Sequence, residues 1–110
     1  MHGDHKTWKL TSCLHGTIYS VVVNKKTLQY QAFSLTPTNG RMLLIPPGHG
    51  NSLLVTSDLG VYLYFQTERY KGKDHQFTLN AWDPQIHIFW PIESSQAVMS
   101  QRDRRAPFLP

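Results

Sequence analysis

The chain has 110 residues, 40% of them hydrophobic and 12% aromatic, with 11 Lys and Arg against 7 Asp and Glu. That is long enough for one domain, residues 1–110, with its own core, and too apolar for a disordered segment. The net charge of +4 is mild and scattered, so it does not single out nucleic acid and suits a small anionic ligand such as a diphosphate equally well. Cys13, the one cysteine, cannot close an internal disulfide and reads as a small buried residue in a reducing compartment. No apolar run reaches the roughly 20 residues of a membrane helix. The opening Met1-His2-Gly3-Asp4-His5-Lys6 lacks a signal-peptide core, so a cytoplasmic protein without membrane contact is expected.

Trp8–Gly16 (WKLTSCLHG) alternates apolar and polar residues and reads as a strand ending in a His-Gly turn. Thr17–Val23 (TIYSVVV) is rich in β-branched residues and reads as a second strand. Asn24-Lys25-Lys26 closes a hairpin onto the alternating run Leu28–Leu35, and Thr36–Gly40 ends in Asn-Gly, a second hairpin signal. Three further runs follow: Arg41–Ile45, Leu53–Thr56 and Val61–Gln66. The corner Pro46–Asn51 and the turn Ser57–Gly60 separate them, and their Pro and Gly exclude a helix. Gln66–His75 is polar and basic and reads as a loop, Gln76–Leu79 as a short edge strand, and Trp82-Asp83-Pro84 as a turn. Ile86–Trp90 alternates again and reads as a last strand, stopped by Pro91. Gln96–Gln101 suits a helical turn or extended chain, and Asp103–Pro110 a packed tail. Short, closely spaced strands with almost no helix signal give an all-β antiparallel sandwich or barrel, with a jelly roll of about eight strands the best match. Trp8, Tyr30 and Phe33 are candidates for the core or for supporting a dimer sheet.

Several residues could carry chemistry. His2 and His5 have the spacing of a metal pair, but Glu68 and Glu93 are the only glutamates and neither stands at a matching distance, so no metal is expected. His49 reads as an exposed turn residue, and His75 and His87 as structural or surface residues. Tyr62 and Tyr64, two apart on one strand, share a face; they are either core tyrosines or hydroxyls turned toward a ligand. Asp103, within SQRDRR, is either a surface ion pair or a carboxylate that orients a histidine. No aromatic-basic interleaving of the single-strand-binding kind is present, so a nucleic-acid partner is not expected.

Four runs in order, IPPGHGNSLLV, SDLGVYLY, AWDPQIHIFWP and MSQRDRRAP, resemble the dTDP-4-dehydrorhamnose 3,5-epimerases and relatives acting on other nucleotide-linked 4-keto sugars. WKLTSC and GTIYSVVVN extend the resemblance to Trp8, and HGDHKTWKL is similar to the heptose-modifying branch. The resemblance implies a cupin-like jelly roll, a homodimer, a nucleotide-diphosphate sugar as ligand and no cofactor. It implies His2 as general base, Asp103 of Ser100-Gln101-Arg102-Asp103 as its partner, Lys9 beside it, and Tyr64 as the acid on the opposite face. Asn51 stands where the rhamnose enzymes carry a second pocket histidine, a departure from the pattern. Family members usually have a further stretch before the histidine, including an arginine that helps hold substrate. On this reading the chain is a shortened relative in which either nucleotide binding is weakened or another basic group such as Arg69 or Lys71 takes over, with Asn51, Arg69 and Tyr70 as the substrate-binding candidates. The expected reaction is epimerisation at C3, C5 or both of a nucleotide-linked 4-keto-6-deoxy sugar or heptose. The alternatives are a cupin-type sugar-nucleotide-binding domain that has lost turnover, and a sugar ketoisomerase in which His2 and His5 act together.

Overall fold

Eight antiparallel strands in two sheets carry the chain, which a computed structural model describes over residues 1–110. They are β1 (His2–Gly3), β2 (Lys9–His15), β3 (Ile18–Asn24), β4 (Tyr30–Leu35), β5 (Met42–Ile45), β6 (His49–Val55), β7 (Val61–Gln66) and β8 (Phe77–Thr78). One sheet has the order β4-β3-β6-β1-β8 and the other β5-β2-β7. Of the consecutive strands only β3 and β4 pair; every other connection crosses from one sheet to the other. That crossing pattern is the antiparallel jelly roll.

The burial of β3 explains its uninterrupted β-branched sequence. Ile18 and Ser20 point between the sheets, where Ile18, Cys13 and Leu35 pack with Phe33, Leu43, Leu53 and Tyr62. Val21 and Val23 point the other way, into a second cluster with Met1, Leu79, Ala81 and Ile86 under Trp82, Trp90 and Leu109. The C-terminal third therefore covers the outer face of the large sheet, and a strand buried on both faces needs apolar residues at both parities. The outer face of β5-β2-β7 has no such cover: Leu14, Met42, Leu44, Val61, Leu63 and Phe65 are 37% to 63% exposed.

Several expectations need correction. Ile86–Trp90 is not a strand. Asp83 gathers the local donors instead: its carbonyl accepts from the Ile86 and His87 amides (3.1 and 3.0 Å) and its carboxylate from the Gln85 amide (2.8 Å). His87 then adopts a left-handed φ of 57°. Asn39-Gly40 does not close a hairpin, because β4 and β5 leave for different sheets; the Asn39 side chain is spent on the Ser34 carbonyl (2.9 Å) and the Arg41 amide (3.1 Å). The Pro-Pro corner is shorter than expected. His49 is not an exposed turn residue but the half-buried first residue of β6, paired with Asn24. β4 starts at Tyr30 because Leu28 turns the chain at φ 63°. Trp8 is 45% exposed and does not serve the core, whereas Tyr30 and Phe33 are half-buried at core edges. β1, too short to show a pattern, was not expected. A 3-10 turn forms at Ser94–Gln96 and one helical turn, α1, at Gln101–Arg104. No helix is long and apolar enough to cross a membrane.

Candidate active site

His2 sits in β1 between two partners, pairing with Asn51 of β6 and Thr78 of β8. Its Nε2 lies 2.7 Å from Asp103 Oδ1. Asp103 is held by α1, whose N-cap Ser100 accepts from the Asp103 amide (3.2 Å) and donates its hydroxyl to Asp103 Oδ2 (2.8 Å). Burial alone would raise the Asp103 pKa. The Ser100 hydrogen bond, the Met1 ammonium and His2 outweigh it and hold the carboxyl below the usual range. An ionised carboxylate only accepts, so Nε2 carries the imidazole proton and Nδ1 presents the lone pair.

The ring itself is held neutral. Burial is the largest cause lowering its pKa, with the Met1 amino group and Arg102 adding to it; Asp103 pulls the other way without prevailing. The His2–Asp103 contact is therefore a hydrogen bond from a neutral imidazole to a carboxylate rather than a full ion pair. Nδ1 lies 3.3 Å from Thr78 Oγ1. Arg102 donates to Gln76 Oε1 (3.1 Å) and Thr78 Oγ1 (3.4 Å), so the guanidinium stands close behind that hydroxyl.

Alternation on β2 and β7 sets the facing wall. Lys9 and Thr11 point inward from β2, and Tyr62 and Tyr64 from β7, with their rings 6.0 Å apart. Lys9 Nζ donates to Asn51 Oδ1 at 3.2 Å. Burial lowers the Lys9 pKa, and Asp4 only partly offsets this. His2, Lys9, Asn51, Tyr62, Tyr64 and Arg102 line one cavity of about 350 Å³. Asp103 stands behind His2 rather than on the cavity wall. Tyr64 is 54% exposed, at the mouth. A second cavity of about 240 Å³ adjoins the first, shares Lys9, Gln66, Tyr70 and Gln76 with it, and adds the cations Lys6, Arg69 and Lys71 with the carboxylates Asp4 and Glu68.

Six of the seven residues proposed from sequence, His2, Lys9, Asn51, Tyr64, Arg69 and Tyr70, thus line these two joined cavities, and the seventh, Asp103, stands behind His2. His2 and His5 do not act as a pair: His2 is engaged with Asp103, while the His5 ring lies against Phe77, with centroids 5.5 Å apart. Sequence reasoning missed Thr11, Gln76, Thr78 and Arg102. Thr11 was within reach, since it stands two residues after Lys9 on the same strand. Gln76 and Thr78 arrive through pairing with β1, which no local pattern announces.

The fold and the motif order agree with one group of known proteins. A family model described as dTDP-4-dehydrorhamnose 3,5-epimerase matches residues 1–110. The chain is 28% identical over 108 residues to the dTDP-4-dehydrorhamnose 3,5-epimerase of Escherichia coli K12, covering 94% of this chain and 57% of that one. Among solved structures, it is similar to the dTDP-6-deoxy-D-glucose-3,5-epimerase of Legionella pneumophila Philadelphia 1 in complex with dTDP-4-keto-L-rhamnose. That match has 27% identity, a TM-score of 0.88, and covers 97% of this chain and 60% of that one. The dTDP-4-dehydrorhamnose 3,5-epimerase of Bacillus anthracis str. Ames, with TDP and PPi bound, matches at 27% identity and a TM-score of 0.88, covering 98% and 65%. The chain thus spans under two thirds of the length of each of these relatives. The match runs the full length of the chain and takes in both strands of the cavity wall and the helical turn behind His2, and on that ground the chain belongs to the dTDP-4-dehydrorhamnose 3,5-epimerase family.

Proposed function

We propose that the protein epimerises a nucleotide-linked 4-keto-6-deoxy sugar, or a heptose, at C3, C5 or both. The observation that carries this is the His2–Asp103 hydrogen bond of 2.7 Å, set on the cavity that Lys9 and Tyr64 also line. A ketone at C4 acidifies the hydrogens on C3 and C5. His2 Nδ1 takes one as a proton, and the bonding pair moves into the ring and onto the C4 oxygen. The Lys9 ammonium, thinly solvated, holds that enolate oxygen. Tyr64 returns a proton to the opposite face, and solvent resets both groups. One proton leaves carbon and one returns, so the step is redox neutral. A domain that only binds sugar nucleotides has no need of an oriented neutral imidazole, and the His2–Asp103 pairing favours turnover.

In the adjoining cavity the cations Lys6, Lys9, Arg69 and Lys71 outnumber the carboxylates Asp4 and Glu68, an excess that suits a diphosphate, and Tyr70 at the shared rim offers a ring for the base. The complexes of the two bacterial relatives, with dTDP-4-keto-L-rhamnose and with TDP and PPi, support this ligand class. The uncovered apolar face of β5-β2-β7 supports a homodimer built on it. The free buried thiol of Cys13 fits a reducing cytoplasm.

The test is solvent-deuterium incorporation. The protein should exchange the C3 or C5 hydrogen of a dTDP- or GDP-linked 4-keto-6-deoxy sugar in deuterated water, followed by proton NMR. No exchange across several such sugars, with the protein shown folded, would refute the reading.

A further inference from the structure

His2 is held at both ring nitrogens, and two adjacent residues of α1 stand behind both holds. Asp103 takes Nε2 at 2.7 Å. Arg102 works through an intermediary. Its Nη2 donates to Gln76 Oε1 (3.1 Å) and to Thr78 Oγ1 (3.4 Å), and Thr78 Oγ1 lies 3.3 Å from His2 Nδ1. Thr78 is the cross-strand partner of His2, in a strand of only two residues, Phe77–Thr78.

What each member can donate fixes the direction of every bond. A guanidinium has only N–H donors, so Thr78 Oγ1 accepts from Arg102. An ionised carboxylate only accepts, so the neutral ring spends its one hydrogen on Asp103 and keeps its lone pair at Nδ1. The hydrogen left to give is that of the Thr78 hydroxyl, and Nδ1 is the acceptor beside it. The polarity therefore runs from Arg102 through Thr78 and His2 to Asp103. Donation onto the hydroxyl oxygen polarises its hydrogen toward Nδ1. A protonated ring breaks the pattern, because Nδ1–H then faces the hydroxyl's own hydrogen with a guanidinium behind it.

We propose that Thr78 is a positioning residue for the base: backed by Arg102, its hydroxyl fixes which nitrogen of His2 carries the lone pair and how the ring stands until the sugar arrives. This rests on the epimerase reading above and adds a residue to it. The 3.3 Å separation is long for such a bond, so the hold is one that an incoming C–H displaces. The charges that face His2 are the Met1 ammonium and Arg102 and Asp103 of α1. Lys9 of β2 and Tyr62 and Tyr64 of β7 line the same cavity, and β6 and β8 bring the uncharged Asn51 and Thr78. Thr78→Val leaves all of those charges in place.

The experiment titrates the His2 ring by nitrogen NMR in the protein without sugar, its signals identified by their absence from His2→Gln. In the wild type Nε2 should carry the proton and Nδ1 should show the shift of an unprotonated nitrogen that accepts a hydrogen bond. The reverse tautomer overturns the proposal whatever the variants do. Thr78→Val loses a bond to the neutral ring, so its His2 pKa should rise by roughly half a unit to one unit. A methyl group in place of the hydroxyl only makes the surroundings more apolar, which pushes the pKa down, so the sign separates a lost hydrogen bond from a packing change. Thr78→Ser should restore the wild-type value. The acid limb of deuterium exchange should move up with the pKa in Thr78→Val and return in Thr78→Ser. An unchanged or lowered pKa in folded Thr78→Val overturns the proposal. If the shift and its rescue appear while no sugar exchanges, the hold on Nδ1 stands and the epimerase reading falls. If sugar exchanges with one acid limb in all three proteins, the reading stands and Thr78 has no part in it.

Discussion

Asp103→Asn removes one negative charge and leaves the shape of the site in place. Asp103 accepts from His2 Nε2 at 2.7 Å and from Ser100 Oγ at 2.8 Å, with its side chain 29% exposed. A hydrogen bond to a charged group contributes about 1.5–3 kcal/mol, with the lower part of that range apt for a group this open to solvent. At about 1.36 kcal/mol per factor of ten, the variant should lose roughly ten- to a hundredfold in rate. The asparagine amide can also turn its NH2 toward Nε2, which favours the tautomer with the proton on Nδ1, the atom that must accept. A second signature is the pH profile. Burial, the Met1 amino group and Arg102 depress the His2 pKa, and Asp103 opposes them. Without Asp103 the pKa falls further, so the acid limb of the rate, where His2 becomes protonated, moves to lower pH. The assay is the initial rate of deuterium incorporation across the acid-to-neutral range. Full wild-type rate, or an acid limb displaced to higher pH, would refute the role given to Asp103.

Tyr64→Phe should impair inversion more than exchange, because the His2 face keeps its base while the opposite face loses its acid; equal loss of both by NMR would contradict that role. Asp83→Ala strands the Gln85 and Leu109 amides, now held at 2.8 and 2.6 Å, beneath a residue only 2% exposed. It should cost about 2–4 kcal/mol and lower the melting temperature by roughly 10 °C, with an unchanged midpoint as the contrary result. Acid should weaken the fold in two stages, read as urea midpoints against pH. The folded pKa of His2 lies below its ordinary 6.5, so the unfolded chain takes up that proton more readily. The contribution is present above 6.5 and is lost as pH falls through that value toward the folded pKa. Asp103, depressed from 3.8, adds its loss only below that value. His2→Gln should flatten the first stage and leave the second; a first stage that persists would assign it elsewhere.

The fold was legible where burial follows a strand's own period. Lys9–His15, Ile18–Asn24 and Val61–Gln66 carry their inward residues at alternate positions, and those residues meet between the sheets. It was not legible where a side chain outside the pattern redirects the backbone. Ile86–Trp90 has a strand's alternation, yet Asp83 captures its first amides and turns it into a cover for the large sheet. Local turn chemistry also cannot say which sheet the next strand joins, and Asn39-Gly40 therefore suggested a hairpin where the chain crosses over. The same division runs through the site. Lys9 and Tyr64 share the inward parity of their strands, and Tyr62 was recognisable for the same reason. Thr78 and Arg102 reach His2 through an edge pairing of two residues and a single helical turn, both set by tertiary contact.

Proton NMR of a dTDP-linked 4-keto-6-deoxy sugar in deuterated water, run side by side on the wild-type protein and on folded His2→Gln, tests whether this cavity is an epimerase centre. Loss of the C3 or C5 proton signal with the wild type and its retention with His2→Gln is the predicted result. Retention with both, or loss at equal rate with both, would contradict it.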